Sequence, residues 1–171
     1  LRLSESPAYA AAERMTGARM ITFLGAWPNE ASAKFGAAKL FEGAQQIALA
    51  TNVEEWAHEQ YFITRPGEPV VLVAPSGASS DRAAEILSEL NYIEALTVFV
   101  SDQAPPLPAL LVPVAAGIGE ELSPVLTSIP LSRIGLHLMR LNGKRSYNFP
   151  DDEARREHYD TIHRVTIGDP A

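Results

Sequence analysis

Pro69-Val70-Val71-Leu72-Val73-Ala74-Pro75, running directly into Ser76-Gly77-Ala78-Ser79-Ser80-Asp81, is the stretch that decides the fold. Its first part is a continuous apolar run rich in β-branched residues. A strand with one wet face alternates apolar and polar side chains, whereas a strand buried on both faces stays apolar throughout. The run therefore predicts an inner strand of a parallel sheet lying between two helical layers. The second part supplies a Gly/Ser turn and then a helix over residues 81–90, with Ser79 and Ser80 available as caps.

The same signature recurs on either side. Met20-Ile21-Thr22-Phe23-Leu24 ends at Gly25, Leu96-Thr97-Val98-Phe99-Val100 at Ser101-Asp102, and residues 109–114 form a further apolar run. Ile47-Ala48-Leu49-Ala50 is a weaker fifth. Helical segments lie between or around them: residues 4–14, residues 29–46 with Asn29 as cap, and residues 123–141. The last begins with a Ser-Pro start signal, stops at Asn142-Gly143, and carries Pro130, which should kink it or shift its start. Strand and helix in alternation predict an α/β fold: a three-layer, doubly wound, mostly parallel five-stranded sheet with right-handed crossovers. Ligands in such sheets bind at the carboxyl ends of the strands near a switch in strand order. That points to the loops at residues 25–29, 75–80 and 101–103.

Composition narrows the function classes. The 171 residues suit one domain, and a 46% hydrophobic content is enough to build a core, which excludes a disordered chain. Fourteen Lys and Arg against 21 Asp and Glu leave a formal net charge of −7. This lacks the basic footprint of a nucleic-acid binder, although a small anionic ligand senses only its own pocket. The absence of cysteine removes disulfides, thiolate metal sites and cysteine nucleophiles, and is compatible with the expected cytoplasmic setting. No apolar run approaches the roughly 20 residues that span a bilayer, and no signal-peptide pattern opens the chain. A start at Leu1 is expected of a piece of a longer polypeptide or a processed chain. Residues 151–171 read as a charged C-terminal arm on a single domain of residues 1–171.

Three groups of residues can carry chemistry. Lys39 and Glu42, three apart on a helix, share one face, and a carboxylate beside an ammonium can serve as a base. The same spacing describes an ordinary surface ion pair. The small residues around the pair, Gly36, Ala37, Ala38, Gly43 and Ala44, permit close packing. His58, set among Glu54, Glu55 and Glu59, can move protons near neutral pH or simply stand exposed among acids. Ser76, Ser79 and Ser80, between a strand and a helix, read either as an anion site or as a capping turn. There is no Gly-Lys-Ser/Thr phosphate loop, no Gly-x-Gly-x-x-Gly fingerprint and no Gly-x-Ser-x-Gly elbow. His58, His137, His158 and His163 form no His-x-x-x-His pair, so no metal site is expected.

In order and spacing, these segments resemble the sugar isomerase (SIS) domain family over about residues 18–143, in a flavodoxin-like arrangement. The resemblance is carried by Phe23-Leu24-Gly25, Ala37-Ala38-Lys39-Leu40-Phe41-Glu42, the Pro69–Pro75 run, Ser123-Pro124, Pro130-Leu131, His137 and Gly143. More narrowly, they resemble the second SIS half of glucosamine-6-phosphate synthase-like proteins and fructosamine deglycase relatives. The resemblance implies that Glu42 moves a proton between C1 and C2 of a ring-opened sugar phosphate, with Lys39 beside it. It implies that His58, sixteen residues after Glu42, assists ring opening from a neighbouring subunit of a homodimer. Such a proton transfer needs no metal and no redox cofactor. Ser76, Ser79 and Ser80 would be a pseudo-equivalent of the phosphate clamp, or a vestige of it.

This chain departs from the family in several places. His58-Glu59-Gln60 replaces the usual His-Gly-Pro, Ser132 stands where Gln is frequent, and no lysine follows Lys144. The expectation is therefore a phosphosugar isomerase or deglycase domain, as the C-terminal half of a double-SIS protein. The alternatives are a non-catalytic phosphosugar-binding sensor module and a dimerisation scaffold.

Overall fold

The computed structural model describes residues 3–144. The chain order is α1 (Glu5–Met15), β1 (Ile21–Gly25), α2 (Pro28–Lys39) with a π-helical turn at Leu40–Ala44, β2 (Ala48–Asn52), α3 (Val53–His58), β3 (Pro69–Val73), α4 (Ser80–Tyr92), β4 (Leu96–Ser101), β5 (Leu110–Pro113) and α5 (Ser123–Leu141). The strands form one sheet in the order β2-β1-β3-β4-β5. Every pairing is parallel, with Thr22 beside Val70 and Val70 beside Thr97 across the centre. The expected α/β architecture is the observed one, and its described sheet is parallel throughout. The C-terminal arm proposed for residues 151–171 lies outside the described residues.

Alternation along the strands divides two cores. Val71 and Val73 of β3 join Ile21, Phe23, Val98 and Val100 beneath α1, α2 and α5, where Met15, Leu131, Ile134 and Leu138 are buried. Val70 and Leu72 point the other way, with Leu24 and Phe99, onto Trp56 of α3 and Ile86, Leu87 and Leu90 of α4. Each fully buried aliphatic side chain contributes on the order of 1.5–3 kcal/mol from surface removed from water. The continuous apolar run at residues 69–73 has this double burial as its cause.

Local departures from the sequence expectation each have a tertiary reason. Asn29 does not cap α2, which starts at Pro28, where a missing N–H costs nothing. Asn29 is instead wholly buried, and its Oδ1 lies 3.2 Å from Ser32 Oγ and 3.1 Å from Ser123 Oγ, tying α2 to α5. Gly25 permits this turn, because a Cβ there would overlap the Asn29 carbonyl. The α-helix ends at Lys39, short of residue 46, and continues as the π-helical turn. Pro130 sits inside an uninterrupted α5 that starts at Ser123, so the start is not shifted.

α1 is fastened to α5 by charge as well as by its alanine face. The Glu5 carboxylate pairs with Arg133 and lies 3.2 Å from His137 Nε2, while the Tyr9 ring stands edge-on to the His137 ring at 5.4 Å. Burial, then the nearby Arg140 and Arg133 cations, hold the His137 imidazole below its ordinary value despite Glu5. The unfolded chain therefore takes up this proton more readily than the folded one. Stability should fall as pH drops below about 6.5, the unperturbed histidine value. Urea unfolding across that range should show the loss, and His137→Gln should flatten it.

Candidate functional site

The chain leaves β1 toward β2 on one side and returns to β3 on the other, so strand order switches between β1 and β3. Two loops meet this crevice at the carboxyl ends, residues 26–27 and residues 74–79. In the first, Trp27 is 68% exposed and adopts φ 37°, a left-handed conformation that a bulky residue rarely takes. In the second, the serines are already engaged. Ser76 donates its amide and hydroxyl to the two oxygens of Asp102, at 2.7 and 2.6 Å. Ser79 donates its amide to Glu120 Oε2 at 3.2 Å and its hydroxyl to Oε1. Ser80 Oγ accepts from the Gly77 amide at 2.9 Å. Burial pushes the Asp102 carboxyl up, but the hydroxyl and amide of Ser76 outweigh it and hold the group below the usual carboxylate range.

The Lys39–Glu42 pair lies elsewhere, at the far end of α2 toward the amino ends of the strands. Lys39 Nζ and Glu42 Oε2 are 2.6 Å apart, with the side chains 34% and 54% exposed. Lys39 Nζ also lies 5.2 Å from the centre of the Phe35 ring, within cation–π reach. Glu42 occupies the π-helical turn, a backbone feature found frequently at functional sites. The turn and α5 enclose a groove of about 230 Å³ lined by Lys39, Glu42, Gly43, Ser132, Gly135 and Met139. Two glycines tighten this corner, Gly36 where α2 lies on β1 and Gly135 where α5 lies on α2. A Cβ on Gly36 would press on Phe23 at 2.7 Å, and one on Gly135 would meet Lys39 Cβ at 3.1 Å.

His58 ends α3, on the opposite face of the sheet from Glu42. Its Nδ1 lies 2.8 Å from the Glu54 carbonyl, and a carbonyl only accepts, so the contact fits an Nδ1–H donor. Glu54 is in turn held by Arg82 of α4 through a two-point contact at 2.5 and 2.9 Å. Lys39 and Glu42 are thus brought together, whereas His58 and the serine loop each stand apart from them within one chain. Asp102 and Glu120 escaped sequence reasoning, because they lie 26 and 41 residues from the serines they bind. Asp102 at least fell within one of the three candidate loops. Among the described residues, no group of three His, Asp or Glu could hold a metal ion, and no helix is long and apolar enough to cross a membrane.

No family model and no curated protein matches the sequence. Solved structures do match. The C-terminal domain of glucosamine-fructose-6-phosphate aminotransferase from Francisella tularensis superposes over 85% of this chain and 42% of its own, at a TM-score of 0.75 and 20% identity. The sugar isomerase domain of the RpiR transcription factor from Sphaerobacter thermophilus covers 80% of this chain and 81% of its own, at 0.60 and 17%. The chain has the SIS-domain fold. Tagatose-6-phosphate ketose/aldose isomerase from Escherichia coli matches over 86% of the chain, at a TM-score of 0.65 and 14% identity. The chain spans 41–42% of the length of the aminotransferase and tagatose-phosphate isomerase chains, so it matches only part of each.

The α2–α5 seam gives a direct check on the groove. Gly135→Val adds branched bulk against Lys39 and should cost about 1–3 kcal/mol, the usual range for overpacking. Denaturant unfolding would measure the loss. Gly143→Val, where a Cβ meets nothing within 4 Å but the positive φ is strained, serves as the comparison for a purely local backbone effect.

Proposed function

We propose that this SIS domain is one half of a phosphosugar isomerase or deglycase site and moves a proton between C1 and C2 of a ring-opened sugar phosphate. The observation that carries the reading is Glu42 on its π-helical turn, 2.6 Å from Lys39 at the rim of the α2–α5 groove. The Glu42 carboxylate removes the proton from the carbon beside the carbonyl, leaving an enediolate, and returns it to the neighbouring carbon while the hydroxyl proton passes from one substrate oxygen to the other. The Lys39 ammonium orients the substrate and offsets the negative charge that develops on the enediolate oxygens. The fold likeness supports this class of substrate, since a glucosamine-6-phosphate deaminase from Thermotoga maritima matches over 86% of the chain at a TM-score of 0.65 and 16% identity.

One chain does not complete such a site. Glu42 is half exposed, and a base surrounded by water loses most of its advantage, so a second surface must cover the groove. In this reading the covering surface is another copy in a homodimer, and it brings a His58 whose Nε2 assists ring opening. The phosphate role expected of Ser76, Ser79 and Ser80 draws no support from the geometry, because Ser76 and Ser79 already donate to Asp102 and Glu120. The substrate's phosphate is therefore assigned to donors outside that loop.

The complete protein in heavy water with fructose 6-phosphate, glucose 6-phosphate or glucosamine 6-phosphate should incorporate deuterium at C1 or C2, read by NMR. Glu42→Gln should lower the rate by roughly 10²–10⁴-fold, the usual contribution of a general base, with an unchanged melting transition. Undiminished exchange in that variant would overturn the assignment. Ligand-induced shifts without exchange in the unsubstituted protein would favour the sensor module.

A further inference from the structure

At a strand–loop–helix junction such as β3–α4, amides and hydroxyls gathered at the helix start are suited to receive an anion. Here the anions belong to the chain itself. Glu120 enters from the short helical turn Glu120–Leu122 and is 6% exposed, an unusual burial for a carboxylate unless it is well paired. Both of its oxygens are met by Ser79, one through the amide and one through the hydroxyl. Gly77 completes the fit, since the space a Cβ would take is filled by the Glu120 carboxylate and its Cβ. The backbone at Glu120 is anchored too. Its carbonyl accepts from Ser123 Oγ at 2.7 Å, and that hydroxyl lies 3.1 Å from Asn29 Oδ1. Asp102 occupies the neighbouring donors of Ser76 in the same two-point manner.

We propose that Glu120 is a tethered occupant of the serine loop: it takes up the Ser79 donors that an anion would otherwise use, and so closes the switch-point crevice of this half to phosphate. Two fixed carboxylates at the loop add repulsion to occupancy, since an incoming phosphate must displace one negative group while approaching another. The inference goes beyond the proton-transfer reading and does not depend on Glu42. It states where, within this chain, the substrate's phosphate is not held.

The test is a titration of the full chain with inorganic phosphate, followed through backbone amide NMR signals. In the unsubstituted protein the Gly77, Ser79 and Ser80 amides should shift no more than exposed amides at the amino end of the sheet. In Glu120→Ala the same three should shift saturably, with apparent binding at least about tenfold tighter, the gain expected when charge-assisted donors are released. Glu120→Gln removes the charge but leaves an acceptor for Ser79, and should show a smaller gain. Saturable loop shifts in the unsubstituted protein would overturn the proposal. So would a natively dispersed Glu120→Ala spectrum with no loop response. If Glu120→Ala loses its native dispersion, Glu120→Gln decides, and no gain there counts against the proposal. Because the probe is phosphate alone, the outcome is separate from whether Glu42 exchanges protons.

Discussion

β3 depends on being buried on both faces, and the rest of the architecture follows from satisfying that requirement. Val71 and Val73 need one helical layer, Val70 and Leu72 another, and a parallel sheet between right-handed crossovers provides both. Placing β3 between β1 and β4 sends the β1–β2 and β2–β3 connections in opposite directions. That reversal creates the crevice at the carboxyl ends and puts α2 and α3 on opposite faces. The separation of Glu42 from His58 is therefore a result of topology, since each sits at or just beyond the end of one of those two helices.

The two ends of the molecule use charge differently. At the carboxyl ends, carboxylates of Asp102 and Glu120 are consumed internally, each by the amide and hydroxyl of one serine. At the far end of α2, the Glu42 carboxylate pairs with Lys39 and remains half exposed on a groove lined by Gly43 and Gly135. A carboxylate bound at both oxygens by one serine fastens a loop. A carboxylate with an ammonium partner and an open side is available for proton transfer once water is excluded. The fold is shared with proteins that act on sugar phosphates and with a transcription factor's sugar isomerase domain, so chemistry has to be argued from such side chains and not from the fold.

Features set by burial or by short-range spacing were legible in the sequence. The apolar runs marked the strands, the Ser-Pro start and Asn-Gly stop bounded α5, and the small residues around Glu42 anticipated the tight α2–α5 seam. Features set by distant partners were not. Asn29 carries the composition of a cap, yet its partner Ser123 is 94 residues away. The serine loop has the composition of an anion site, and nothing local announces that Glu120 fills it. The π-helical turn was likewise invisible, because the propensities of Leu40-Phe41-Glu42-Gly43-Ala44 do not distinguish it from a helix end.

On the proposed reading, one chain carries the base and a second surface completes the site. Glu42→Gln protein and His58→Ala protein, each strongly impaired alone, can be mixed and sugar-phosphate enolisation followed. If copies share sites across a two-fold interface, random exchange of subunits should restore roughly a quarter of the unsubstituted rate, since half of the dimers then hold one intact site of two. No recovery after demonstrated subunit exchange would mean that the site is not shared between copies.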